Sequence, residues 1–261
     1  MNKLRVIVIT QEDYFFLPKV IKKVYKYCDL IAIVILKHKY SLKSKKTDFL
    51  QWFGLRQAIK LSLLVISKEI KSILDNIFKF KLFGGESRIK DAAKYLNICY
   101  IETRNVNDIY FIDKLEKMQI DLIVSLSAPQ KFKKELIKLP KYGAINLHGA
   151  YLPDYRGCFP SFWQLYNREE YAGATVHYID ENIDTGKIII QEKVYIGDCK
   201  RVFDVIKKTK ELGGELLIKA LKAIQEGNLI LKDNEPSKGR YYSWPTKEAA
   251  SDFRRKGLLL I

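Results

Sequence analysis

Four cysteines in 261 residues, at positions 28, 99, 158 and 199, stand far apart and form no C-x-x-C pair. Neither the ligand spacing of a zinc site nor the cysteine density of a small disulfide scaffold is present. All four read as free thiols, and no metal site is expected. No G-x-G-x-x-G follows the first apolar run, so a nicotinamide or flavin fingerprint is missing where it would sit. No uninterrupted apolar run approaches the roughly 20 residues that span a bilayer. The opening, MNKLRVIVIT, turns polar too soon for a secretory leader and reads as a first strand, so the expected setting is cytoplasmic. Internal repeats and low-complexity linkers are lacking as well.

What the chain has in excess is positive charge: 46 Lys and Arg against 30 Asp and Glu, a net +16. An anionic partner fits that balance, whether tRNA, a sugar nucleotide, a polyglutamylated folate or a membrane surface. The lysines come with abundant Ile and Tyr, a mixture that biased base composition also produces. Charge alone therefore does not choose the partner. A hydrophobic fraction of 48% and an aromatic fraction of 12% belong to a globular protein. The length allows one large domain, or one with a smaller appendage.

Apolar, β-branched runs at 4–10 (LRVIVIT) and 30–36 (LIAIVIL) flank a helical stretch from about Pro18 to Tyr27, the strand–helix–strand opening of a parallel α/β sheet. The rhythm resumes with a helix at 88–96, a short strand at 99–102, a helix at 108–117 and a buried strand at 121–126. A helical stretch at 131–139 and a strand at 143–147 follow. Thr175–Ile179 and Lys187–Tyr195 suggest an antiparallel pair. Residues 201–226 have helical apolar spacing interrupted by Gly213 and Gly214, and the tail from Asn228 reads as a small hairpin with a closing segment. The expected fold is α/β, a Rossmann-like, mostly parallel sheet. Residues 1–200 would form its main domain and 201–261 a C-terminal helix with an irregular extension.

Residues 41–90 interrupt this pattern. Lys43, Lys45 and Lys46 open a basic stretch, and Phe49–Phe83 is apolar and dotted with lysines. One reading is an inserted helix or two packing aromatic faces inward. The other is a basic amphipathic face that docks on a membrane or a protein partner. An exposed aromatic insertion or tail would also suit a homodimer.

The chemistry concentrates between 144 and 186. Asn146 and His148 are two apart at the end of an apolar strand, so both side chains share one face at the edge where α/β sheets bind ligands. An Asn amide can donate to a developing oxyanion, and a His can exchange a proton near neutral pH. Asp184, in an Asp-Thr-Gly turn, can orient the imidazole and stabilise its charged form. Singly these signals are weak, since strand-end His and Asp-Thr-Gly turns are often purely structural. His177, alternating with apolar neighbours, reads as structural. Tyr151, Phe159, Phe162 and Trp163 read as core, and Tyr241, Tyr242 and Trp244 as either acceptor lining or a cover for the domain. Cys158 has no second His beside it in the motif and is not read as a nucleophile.

Asn-x-His, the Leu-Pro-x-Tyr-Arg-Gly loop and the Asp-Thr-Gly turn, with 36 residues from His148 to Asp184, together resemble the formyltransferases that use 10-formyltetrahydrofolate. That family includes enzymes acting on methionyl-tRNA, glycinamide ribonucleotide and amino sugars. The resemblance runs from about 88 to 195 and is weak across 41–87. It implies that Asn146 polarises the formyl carbonyl, that His148 serves as general base or second oxyanion partner, and that Asp184 sets the state of His148. It places the folate against Leu126, Ser127 and Ala128 on one side and against Asn182 and Ile183 on the other. Pro129 and Gln130 belong to the same loop. The loop residues Tyr155, Arg156 and Gly157 face the acceptor, with Arg156 binding either a phosphate or loop carbonyls. The reaction needs no metal.

For the acceptor, the 77 residues after Asp184 leave no space for the separate tRNA-binding domain of about 100 residues found in the methionyl-tRNA enzymes. The insertion sets the chain apart from the compact glycinamide ribonucleotide enzymes, and the early first strand from the deformylases. An amine on a nucleotide-linked amino sugar remains the expected acceptor, with charged initiator tRNA as the alternative. A non-catalytic folate- or nucleotide-binding module is a third reading.

Overall fold

The computed structural model describes residues 3–37 and 42–261. In chain order its elements begin with β1 (Arg5–Thr10), α1 (Leu17–Tyr25), β2 (Asp29–Leu36), α2 (Leu42–Ile77), α3 (Ile89–Tyr95), β3 (Cys99–Thr103) and α4 (Ile109–Glu116). They continue with β4 (Leu122–Leu126), α5 (Lys134–Lys138), β5 (Ala144–His148), β6 (Arg156–Gly157), α6 (Pro160–Tyr166), β7 (Tyr171–Tyr178), β8 (Ile188–Tyr195), α7 (Val202–Glu226), β9 (Tyr241–Tyr242) and α8 (Lys247–Arg255).

Seven strands form one sheet in the order β3-β2-β1-β4-β5-β7-β8. The first five run parallel, and β7 and β8 are antiparallel additions at one edge. The β-branched strands alternate their side chains between two apolar layers. Val6, Val8, Ile33 and Val124 face the layer closed by α1 and α7, while Ile7, Ile9, Val34 and Ile123 face that of Phe111 and Leu115. The chain winds outward in both directions from between β1 and β4, so a crevice opens at their carboxyl ends. There the Thr10 hydroxyl donates to the Leu126 carbonyl at 2.6 Å.

Helix entries are fixed by carboxylates. Oδ1 of Asp13 accepts from the N–H groups of Phe15, Phe16 and Leu17 ahead of α1, and Asp108 caps α4. α7 passes unbroken through both glycines and packs in the sheet's own core through Leu216, Leu217 and Ile224. Gly213 is there for contact: a Cβ on it would lie 2.7 Å from Leu147 Cδ1.

Three sequence expectations change. The stretch 131–139 is helical only at Lys134–Lys138. The tail forms no hairpin. Its Tyr241–Tyr242 pair runs parallel to β6, far upstream, and its closing segment is α8, whose Phe253 is fully buried against Phe53 and Phe162. Pairing across such a separation leaves no turn signal to read. The insertion is one long helix, broken only at Gly54, where φ is 78°. Phe49, Trp52 and Phe53 pack inward, as one reading expected, whereas the following turns leave much of their apolar surface in solvent. The side chains of Lys43, Lys45 and Lys46 lie outside the described residues.

Candidate active site

β5 delivers Asn146 and His148 to the carboxyl edge of the sheet beside the crevice. β7 runs antiparallel to it with His177 opposite Asn146 and Thr175 opposite His148. A register shift between Val176 and His177 in the β7–β8 ladder locally bends the strand there, and such irregularities re-aim side chains next to sites. Asp184 completes the group from the turn joining β7 to β8, in a left-handed conformation with φ 55°.

The hydrogen bonds fix which ring atoms are basic. His148 Nε2 lies 2.8 Å from the Tyr155 carbonyl. A carbonyl only accepts, so Nε2 carries the proton and Nδ1 is the lone-pair nitrogen. Nδ1 faces Asp184 Oδ2 at 3.5 Å, close enough for an ion pair once it is protonated. The Tyr178 carbonyl likewise accepts from His177 Nδ1 at 2.8 Å. His177 Nε2 therefore accepts from the Asn146 amide at 3.2 Å, fixing the orientation of that amide. Asp184 Oδ1 is 3.6 Å from His177 Nε2, beyond hydrogen-bond range.

Charge states follow from the surroundings. Burial pushes the His148 imidazole below its ordinary value, against the pull of Asp184, so the ring is neutral near pH 7. Burial also works against ionising Asp184. It is outweighed by the two imidazoles and the Gly157 N–H, which donates at 2.8 Å, and the carboxyl is held well below the usual range. A neutral base thus stands beside a permanent anion and an oriented amide. That set can polarise a carbonyl, take a proton and stabilise the cation formed.

Asn146, His148 and Asp184 are brought together; the other residues singled out by the sequence divide. Leu126 and Ser127 stand at the crevice, with Ser127 at φ 54° and its hydroxyl accepting from Lys210 Nζ at 2.9 Å. Ala128 packs partly into the layer below. Gln130 is committed to its neighbours, accepting from the Val106 N–H and donating to Asn105. Asn182 and Ile183 are exposed in the turn that leads to Asp184. Gly157 acts through its backbone on Asp184. Arg156 donates to the Pro236 carbonyl at 3.1 Å, the loop-ordering alternative. Tyr155, expected to face the acceptor, is turned inward. Its hydroxyl donates to Glu169 at 2.5 Å and accepts from Asn167, and its ring stacks on Tyr242. Tyr151, expected in the core, is 37% exposed under Lys193.

Two residues escaped the sequence reading. His177, read as structural, holds the Asn146 amide; its cue was a position opposite Asn146, visible only with the strand register. Asn234 donates to the carbonyls of Asp184 and Gly186 at 2.9 and 3.1 Å and pins the turn from the tail, with no local signal at all. Burial raises the Cys158 thiol pKa, so the thiolate of a nucleophile is disfavoured there.

The sheet thus places a ligand crevice beside an Asn146–His148–Asp184 edge. The profile of the family described as "Formyl transferase" matches residues 68–221, more than half of the chain, and the protein belongs to that family. Methionyl-tRNA formyltransferase of Clostridioides difficile is 36% identical over 144 residues, 55% of this chain and 47% of that protein. The chain spans about half the length of such relatives. Among solved structures, WlaRD, a sugar 3N-formyl transferase in the presence of dTDP and 5-N-formyl-THF, superposes with a TM-score of 0.61 at 18% identity, covering 100% of this chain and 83% of that one. The N-formyltransferase of Helicobacter canadensis, in complex with folinic acid and dTDP-3-aminofucose, gives 0.60 at 18% identity, covering 99% and 84%.

Proposed function

We propose that the protein transfers the formyl group of 10-formyltetrahydrofolate to a primary amine on a nucleotide-linked amino sugar. The observation that carries the reaction is the cluster of Asn146, His148 and Asp184 beside the sheet crevice. The folate lies in that crevice along Leu126–Ala128, with its formyl carbon between Asn146 and His148. As the acceptor amine attacks, the carbonyl oxygen takes negative charge and Asn146 donates to it, an interaction worth about 3 kcal/mol in comparable sites. The attacking nitrogen must lose a proton, and Nδ1 of His148 receives it. Asp184 then pairs with the imidazolium. Collapse of the tetrahedral adduct breaks the bond to the folate nitrogen, which is reprotonated as tetrahydrofolate leaves.

The acceptor reading rests on the aromatic tail. Tyr241 is half exposed on β9, and a Cβ on Gly157, the residue whose N–H holds Asp184, would lie 2.7 Å from its ring. An exposed ring beside the catalytic carboxylate suits the stacking of a nucleotide base. The sugar-nucleotide enzymes with this fold support the same class. A second reading, charged initiator tRNA, is favoured by the sequence relatives and by the net charge of +16.

Release of tetrahydrofolate from 10-formyltetrahydrofolate, followed against a panel of nucleotide-linked amino sugars and methionyl-tRNA, tests the proposal. Turnover with a sugar nucleotide is expected. Turnover with charged tRNA alone would replace the acceptor, and none on any amine would overturn the reading.

A further inference from the structure

α2 carries an outward stripe that no described residue covers. Ile59, Leu63, Ile66, Ile70, Ile73 and Ile77 recur at steps of three and four residues, so they line one face of the helix. Each is between 51% and 65% exposed. Leu55 and Leu74 widen the stripe, and Phe78 and Leu82 continue the exposed apolar surface beyond the helix end; a contiguous apolar face of this kind marks an interaction surface.

Polar contacts tie the opposite face and one flank of the helix to the body of the protein. Buried Asp75 accepts from the Phe83 and Gly85 N–H groups at 2.9 and 2.7 Å, and Glu69 pairs with Arg88 at 2.9 Å and accepts from the Tyr14 hydroxyl. These are the two carboxylates of residues 49–85, and both are engaged with the body of the protein. Arg56, Lys60, Lys71, Lys79 and Lys81 are exposed, and none has a carboxylate partner among the described residues. At 100° per residue, Arg56 and Lys60 follow one edge of the stripe, with Lys71 further round the same side of the helix.

We propose that this face of α2 lies in the interface of an anionic lipid bilayer, the isoleucine stripe entering the headgroup–acyl boundary and the basic edge meeting lipid phosphates. A large apolar face, a basic border and no outward carboxylate are what an interfacial helix requires. Charge selects the bilayer over a second copy of the chain, since a copy would bring the same unpaired cations against themselves. By length and composition Phe49–Ile77 would suffice to cross a membrane. The buried Gln57, Ser72 and Asp75 and the break at Gly54 instead keep it lying along a surface.

Co-sedimentation with vesicles of phosphatidylglycerol and phosphatidylcholine, against phosphatidylcholine alone, tests the proposal with the full chain. Binding is expected to the anionic vesicles and to weaken in high salt. Ile66→Glu/Ile70→Glu should abolish it. Lys60→Gln/Lys71→Gln should weaken it roughly 10- to 30-fold, at about 1 kcal/mol per lysine. Both variants alter exposed positions, so unchanged thermal melts confirm that they fold. Wild-type protein that ignores anionic vesicles, or a double-isoleucine variant that binds them undiminished, overturns the proposal. So does a wild-type dimer in sedimentation velocity that Ile66→Glu/Ile70→Glu dissociates while vesicles take up neither form.

Discussion

The Asn146 amide donates to Nε2 of His177 across the β5–β7 pair, 3.2 Å away. An amide that is free to rotate presents oxygen or nitrogen to a carbonyl with similar ease; this one is fixed. In the proposed reaction the oxyanion donor is thus preorganised by a residue that does not itself meet the formyl group.

Asn146→Ala is expected to lower kcat by about 10²- to 10³-fold, the cost of one oxyanion donor. His177→Ala should cost about tenfold in kcat with the KM for folate unchanged, because only the amide's orientation is lost. In the Asn146→Ala background the same His177 change should cost almost nothing. Steady-state kinetics of the four proteins gives the answer, and additive losses would remove His177 from this role.

Acid should act on rate and stability together. With His148 depressed below 6.5 in the folded state, the unfolded chain binds more protons as pH falls beneath 6.5, so stability declines in that direction. Asp184, lowered from 3.8, adds a second loss below pH 3.8. The acid limb of kcat should sit below 6.5, where His148 protonates. Asp184→Asn removes the pull favouring the charged ring, moving that limb lower still while reducing the rate. Melting temperature against pH for wild type and His148→Gln checks the first effect: the variant should be flatter between pH 7 and 5.

The adjacent glycines of α7 should respond in opposite senses. At Gly214 the nearest atoms to an added Cβ are 3.9 Å away, so Gly214→Ala should stabilise by up to about 1 kcal/mol through helix propensity. At Gly213 the added carbon meets buried Leu147, beside the catalytic strand residues, and Gly213→Ala should destabilise by about 1–3 kcal/mol. Chemical denaturation of both variants measures the difference.

Tyr241→Ala should raise the KM for a nucleotide-linked acceptor several-fold while leaving the KM for folate in place. Each stacked base is worth about 1–3 kcal/mol. Equal effects on both substrates would assign the ring to loop support instead.

Most of the sheet was legible because its parallel strands are largely β-branched buried runs, and their boundaries fall within a residue or two of those expected; β7 is the exception, starting at Tyr171, four residues before the expected Thr175. Asn146, His148 and Asp184 were legible through motif and spacing. The remainder was hidden by distance along the chain. His177 looks like any alternating strand residue until register sets it opposite Asn146. Tyr155 sits within the recognisable motif, yet its environment is made by Glu169, Asn167 and Tyr242. The exposed stripe of α2 has the same spacing as a packed face, and only the absence of a described neighbour over it distinguishes the two.

The parallel pairing of Arg156–Gly157 with Tyr241–Tyr242 also bears on the order in which the protein matures. The seven strands of the main sheet can pair as soon as they leave the ribosome, but β6, in the loop that donates to Asp184, waits for β9 about 85 positions later, and the Asp184 turn waits for Asn234, 50 positions on. Such distant closures are slow steps in folding. A nascent chain halted after α7 would hold the main sheet with its carboxylate unsecured and the Phe53–Phe162 cluster still lacking Phe253, so the proposed site is completed last.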